Sequence, residues 1–180
     1  VRAQVEIAYV GLGSNLADPG HQVRRALEAL DRLPETRLMA ASALYATAPV
    51  GPQDQPDYVN AAARLETRLS PPDLLAALLS IEARQGRRRD GTRWGPRILD
   101  LDLLLHGARV LDLPGLRLPH PEMGRRAFVL VPLADVAPPG LPIPGQGTLE
   151  QLLRACPQGG VTRLPLASAT CRAVPRLARS

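Results

Sequence analysis

Between residues 57 and 67 the chain alternates: Val59, Ala61, Ala63 and Leu65 form one face, and Tyr58, Asn60, Arg64 and Glu66 the other. That two-residue period is a strand. Residues 5–12 read as a second, buried strand running into a turn at Gly11-Leu-Gly-Ser-Asn15. Residues 38–47 and 98–105 are apolar enough for two more. Elsewhere the period lengthens. Val23, Ala26, Leu27, Leu30 and Leu33 recur at helical spacing, with Asp18 as cap, Pro19 in the first position and Pro34 as the stop. Ser70-Pro71 opens a second helix carrying Leu74, Leu75, Leu78, Leu79 and Ile81. Shorter helices are expected over 127–136, interrupted by Pro132, and over 148–155. Polar or Pro-rich loops fill 48–56, 86–96, 114–121 and 136–147.

The core order is therefore strand, helix, strand, strand, helix, strand. That is the α+β class: a ferredoxin-like antiparallel sheet with both long helices packed on one face, and the fold expected for the whole chain is a three-layer α/β/α elaboration of it. At 180 residues one domain is expected, with a core that needs no disulfide or metal staple. No apolar run reaches membrane-spanning length and the start of the chain has no signal-peptide pattern, so a cytoplasmic protein without a membrane partner is expected. Cys156 and Cys171 have no ligand-like neighbours and read as free thiols.

Charge changes the picture only locally. All 22 basic residues are Arg. The net charge of +5 belongs to residues 151–180, which hold Arg154, Arg163, Arg172, Arg176 and Arg179 and no acid. A neutral body argues against a nucleic-acid-coating surface. The lack of Lys excludes Schiff-base chemistry and a Walker-type phosphate loop, so Gly11–Asn15 reads as a turn that needs small residues. With one Phe, one Trp and three Tyr, stacking along single-stranded nucleic acid is not expected.

The strongest chemical signal is Arg93-Trp-Gly-Pro-Arg-Ile-Leu-Asp-Leu-Asp102. On a strand Asp100 and Asp102 project together, while Leu99, Leu101 and Leu103 take the other face. A divalent cation would relieve the repulsion between the two carboxylates. Just before them stand Arg84, Arg87, Arg88, Arg89, Arg93 and Arg97. Carboxylates for a metal beside guanidiniums for phosphate oxygens is the combination a Mg²⁺-bound triphosphate needs. His120, between Pro119 and Pro121, is a candidate phosphate contact, and Tyr58 with Asn60 puts a ring and an amide on one strand face. His21 and His106 read as structural or exposed.

Four segments in order resemble the 6-hydroxymethyl-7,8-dihydropterin pyrophosphokinase family of folate biosynthesis: Tyr9-Val-Gly-Leu-Gly-Ser-Asn15, Gly51-Pro-Gln-Asp-Gln-Pro-Asp-Tyr-Val-Asn60, Arg93 to Asp102 as above, and Leu118-Pro-His-Pro-Glu-Met123. The resemblance spans roughly residues 4–155. It implies a Mg²⁺-dependent transfer of pyrophosphate from ATP, the co-substrate, to the hydroxymethyl oxygen of the reduced pterin, with release of AMP. By position it implies that Asp100 and Asp102 ligate two Mg²⁺ ions and that Arg87 and Arg97 act in the transfer. It assigns Glu82, Arg89, Trp94, His120 and Arg126 to ATP. Thr47, Val50, Tyr58, Asn60, Trp94 and Phe128 fall to the pterin, with Tyr58 and Phe128 as the rings that sandwich it. It further implies a pyrophosphokinase domain over 1–157 followed by a basic tail over 158–180, and a monomer whose partners are its two small substrates, without nucleic acid. The loop over 86–96 and the segment 47–55 are expected to close over the site together. The rival readings are an RNA-binding module of ferredoxin-like fold, which calls for aromatics on the central strands that this chain lacks, and a phosphohydrolase built on Asp100 and Asp102.

Overall fold

A computed structural model describes residues 4–50, 54–86 and 96–165. In chain order the strands and helices are β1 (Glu6–Ser14), α1 (Pro19–Asp31), β2 (Thr36–Ala41), β3 (Tyr45–Thr47), β4 (Tyr58–Thr67), α2 (Pro71–Arg84), β5 (Asp100–His106), β6 (Leu111–Leu113), β7 (Leu116–Leu118), α3 (Ala127–Val136), β8 (Pro142–Ile143), β9 (Gly147–Thr148), α4 (Leu149–Ala155) and β10 (Val161–Arg163). The main sheet runs β10-β3-β4-β1-β5, with β2 also on β4, and each of its pairings is antiparallel.

Local chemistry sets the helix starts. Asp18 accepts from the His21 N–H ahead of Pro19, and Ser70 accepts from the Asp73 N–H ahead of Pro71. Each cap satisfies a donor that the first helical turn leaves open. Thr148 and Gln151 form a reciprocal capping box at α4.

The sheet is covered on both faces, as the three-layer expectation requires. Ala8, Val10 and Leu12 of β1, with Ala61, Ala63 and Leu65 of β4 and Leu101 and Leu103 of β5, pack against Val23, Ala26 and Leu30 of α1 and Leu74, Leu78 and Ile81 of α2. The opposite face sends Tyr9, Ala62, Leu104 and Leu105 against Val129, Leu130, Leu133 and Val136 of α3 and Leu149 of α4. Pro132 sits inside α3 rather than breaking it. It has no N–H to give to the Phe128 carbonyl, but it is buried in the same apolar layer.

The structure refines the sequence expectation in several places. Residues 38–47 form two strands. Four steps from Ala41 to Tyr45 face three from Ala63 to Asn60, and the extra residue makes a corner held by the Ser42 N–H on the Ala62 carbonyl at 2.9 Å and the Ala62 N–H on Ser42 Oγ at 2.8 Å. Gly11 and Gly13 belong to β1 itself; the turn begins only after Ser14. Of the two readings offered for His106, structural or exposed, the structure supports the first: it is buried, its Nε2 at 3.0 Å from the Leu69 carbonyl. β10 pairs with β3, and the Leu164 N–H reaches the Leu44 carbonyl at 2.8 Å, so the sheet extends past the boundary expected at 157.

Candidate active site

The face of the sheet under α3 is only partly covered. Along β1, Tyr9 lies under α3, whereas Gly11 and Gly13 do not. The register places Gly11 between Ala62 and Asp102, and Gly13 between Asn60 and Asp100. Residues opposite one another on neighbouring strands share a face. Two adjacent rows thus carry no side chain on the central strand, and the sheet is bare where the carboxylates and the amide flank it. A cavity of about 440 Å³ stands over this floor.

Its walls come from four parts of the chain. β3 and the segment after it supply Thr47, Ala48 and Val50; β4 supplies Tyr58 and Asn60; β5 and the residues before it supply Arg97, Asp100 and Asp102. His120, Glu122, Arg126 and Phe128 come from the turn after β7 and the start of α3. The Asn60 Nδ2 donates to Thr47 Oγ1 at 2.8 Å, and both residues are buried. The Arg126 guanidinium lies over the Phe128 ring at 5.8 Å from its centroid.

A β-bulge orients the histidine. The pairing of β1 with β5 shifts between Tyr9 and Val10, which sends both Leu104 and Leu105 into the α3 core. The Leu104 carbonyl accepts from the His120 N–H at 2.9 Å. The Glu122 N–H donates to His120 Nδ1 at 3.3 Å, and Nε2 then faces Asp102 Oδ1 at 4.0 Å.

The carboxylates differ in their surroundings. Asp100 Oδ2 receives Arg97 Nη1 at 2.7 Å. Asp102 lies at the bottom of the concavity, where protein atoms replace its hydration although 38% of its side-chain surface is still reachable. That burial, and then the Asp100 carboxylate, push its pKa up; His120, Arg126 and Arg97 oppose the shift. Two oxygen donors that repel each other in a poorly hydrated recess, ringed by guanidiniums, fit a hard divalent cation shared with an anionic ligand. No cluster of three His, Cys, Asp or Glu exists among the described residues, so the remaining ligands would be water and phosphate oxygens.

A second hollow of about 290 Å³ shares Asp102, His120 and Pro121 with the first and continues past the edge of β5 to Leu75, Leu103 and Leu116. The two spaces meet at one carboxylate and one imidazole.

Of the sequence candidates, Thr47, Val50, Tyr58, Asn60, Arg97, Asp100, Asp102, His120, Arg126 and Phe128 line the one cavity. Glu82 does not: it is buried on α2, where Oε1 accepts from the Leu101 N–H at 2.8 Å and covers the open edge of β5. Arg87, Arg89 and Trp94 lie outside the described residues, as do most of the 86–96 loop and part of 47–55. Sequence reasoning missed Gly11, Gly13 and Glu122 as wall residues. The alternation of small residues with Tyr9 along β1 was the signal for the first two.

The 7,8-dihydro-6-hydroxymethylpterin-pyrophosphokinase family model matches residues 9–138. A 2-amino-4-hydroxy-6-hydroxymethyldihydropteridine pyrophosphokinase of Pseudomonas aeruginosa is 57% identical over 161 residues, 89% of this chain and 98% of that protein. One of Haemophilus influenzae with the same name is 47% identical over 147 residues, 82% of this chain and 91% of that one. Among solved structures, wild-type Plasmodium falciparum HPPK-DHPS superposes with a TM-score of 0.63 at 13% identity, over 84% of this chain. The chain spans less than half of that longer protein, 45%. At that identity the likeness is one of fold.

Proposed function

The chain belongs to the 7,8-dihydro-6-hydroxymethylpterin-pyrophosphokinase family, and on that premise we propose that it transfers pyrophosphate from ATP to the hydroxymethyl group of 6-hydroxymethyl-7,8-dihydropterin, releasing AMP, in folate biosynthesis. The observation that carries the reading is a single cavity joining a ring-and-amide wall to a carboxylate-and-guanidinium wall. A phosphohydrolase or an RNA module has no use for the first wall, and neither rival is favoured.

The division of labour follows from the walls. Tyr58 and Phe128 hold the flat pterin, and Thr47 and Asn60 meet its polar edge, with Val50 at the rim. Arg97, His120 and Arg126 hold the triphosphate, and the family resemblance adds Arg87, Arg89 and Trp94 as further contacts. The adenosine occupies the hollow past β5, so that the phosphates turn across Asp102 and His120. Asp100 and Asp102 would hold two Mg²⁺ ions, which when bound neutralise phosphate charge as the transition state loosens. Without a Lys in the sequence, the fixed positive protein charge facing the phosphates is guanidinium, and the His120 imidazole contributes as a hydrogen-bonding group. The walls fix the pterin hydroxyl in line with the β-phosphorus and the departing AMP, so orientation and preset charge supply most of the rate. Glu82 contributes through the strand edge that it holds. A cytoplasmic monomer acting on two small substrates, with no nucleic-acid or membrane partner, completes the proposal. The near-neutral body supports it, and no described helix is long and apolar enough to cross a membrane.

The test is product analysis. With Mg²⁺, ATP and 6-hydroxymethyl-7,8-dihydropterin, AMP and pterin pyrophosphate form in equal amounts. AMP or phosphate released without the pterin overturns the reading. Chelation with EDTA stops turnover, and added Mg²⁺ restores it.

A further inference from the structure

Asn15 closes the glycine motif of β1 and is buried to 1% exposure, just past the end of the strand. Its backbone N–H donates to the Arg97 carbonyl at 3.0 Å, and its Oδ1 accepts the Arg97 N–H at 2.8 Å. The side chain thus imitates a peptide group and pairs with Arg97 as a strand neighbour would. Its Nδ2 points the other way, donating to Gln55 Oε1 and to the Pro56 carbonyl, each at 3.1 Å. Both amide hydrogens and the amide oxygen are engaged. Asp lacks the donors, Gln is a methylene too long, and an apolar residue leaves three polar groups unmatched.

The two segments that Asn15 joins lead to the two walls. Gln55 and Pro56 precede Tyr58, the ring of the pterin wall, and Arg97 bonds Asp100 on the phosphate wall. Their partners lie 40, 41 and 82 residues from Asn15 in sequence. We propose that Asn15 is a positioning residue that couples the two substrate sites, by locking the chain entering β4 to the chain entering β5 through one buried amide. This rests on the functional reading above. A ligand that orders one wall orders the other through this amide, so that each substrate raises the affinity for its partner, and by linkage both do so by the same factor.

The experiment is calorimetric titration of 6-hydroxymethylpterin with and without α,β-methylene ATP plus Mg²⁺, on the wild type and on Asn15→Leu. The wild type shows mutual enhancement of tenfold or more. In the variant that factor falls to within about twofold of unity, each ligand alone binds within about threefold of wild type, and kcat drops at least tenfold with KM changed less. Asn15→Asp keeps the Arg97 acceptor and loses both donor arms; it carries the same test if the Leu variant does not fold. Wild-type enhancement that survives in the variant overturns the coupling role, as does its absence in a wild type that binds both ligands. A purely structural role lowers the melting temperature and leaves the enhancement factor unmoved. A wild type that binds no pterin overturns the functional reading and this inference with it.

Discussion

The two ends of one sheet face are built from the same three strands, yet one is core and the other is cleft. At the covered end Tyr9, Ala62, Leu104 and Leu105 meet α3 and leave no space. At the open end the next rows along β1 are Gly11 and Gly13, flanked on the cavity side by Asn60, Asp100 and Asp102. Backbone pairing is continuous across both, so the sheet itself does not decide where the site lies. Side-chain volume on the central strand and charge on its neighbours decide it. The open end has also given up stability: an ionised Asp102 beside Asp100 opposes folding, whereas each buried leucine beneath α3 favours it.

Substitutions at the open end break this contrast most sharply. Asp100→Ala or Asp102→Ala lowers turnover by about 10³-fold or more, on the scale of lost transition-state charge stabilisation. The fold survives, as unchanged far-UV circular dichroism would verify. Near-normal AMP production in both variants would remove the metal assignment. For Asp102 the sign of the stability change is also fixed. Its pKa in the folded state lies above the ordinary value near 3.8, so ionisation above that value works against the folded state. Asp102→Asn therefore melts higher than wild type at pH 7 in metal-free buffer while losing activity.

The covered end answers in the opposite currency. Leu130 is fully buried between α3 and the sheet. Leu130→Ala loses about 2–5 kcal/mol in urea unfolding. Turnover per folded molecule at 25 °C stays within about twofold, because no wall residue moves. A variant that lost activity in proportion to stability would show that the two ends are not separable.

Gly13 tests the floor of the open end. A Cβ there would meet Asn60 Oδ1 at 3.4 Å and Tyr58 Cδ1 at 3.9 Å, contacts that a strand backbone accommodates with small shifts. Gly13→Ala should fold normally and raise the pterin KM about tenfold, roughly 1.4 kcal/mol, since the methyl takes space on the cavity floor. Steady-state kinetics with the ATP KM as internal control decides it. An unchanged pterin KM would mean that the floor is not where the pterin lies.

Much of this was legible in the chain, for physical reasons that differ by region. The two long helices and β4 were readable because one-sided burial leaves a period, and Asp100 and Asp102 stood out because acids interrupt an apolar run. The segment 38–47 hid its corner because Ser42 supplies both the donor and the acceptor for Ala62 without disturbing the apolar pattern. β10 escaped notice because three residues, Val161 to Arg163, are too few to show alternation. Gly11 and Gly13 read as turn residues because glycine is more often a conformational choice than a spatial one. Asn15 was unreadable because its partners are distant in sequence and two of the four are backbone atoms of Arg97. The resemblance could name wall residues, but not the register that sets them beside two glycines.

The smallest effect compares the two ends of β5 by titration. Asp102 near its start has a raised pKa, so acidification strengthens the fold through it. His106 at its end is buried with its pKa lowered, chiefly by loss of hydration, and its Nδ1 has no partner among the described residues. The folded state keeps this ring neutral while the unfolded chain takes up a proton near pH 6.5, so stability falls as pH drops below that value. His106→Gln keeps a donor for the Leu69 carbonyl and removes the titration. Its melting temperature should decline less than that of wild type between pH 7 and pH 5, and Asp102→Asn should decline more as the pH falls on towards 3.8, because it loses the opposing term. Parallel melting curves for all three proteins across that range would show that neither end of the strand is under electrostatic strain. The contrast between core and cleft would then rest on volume alone.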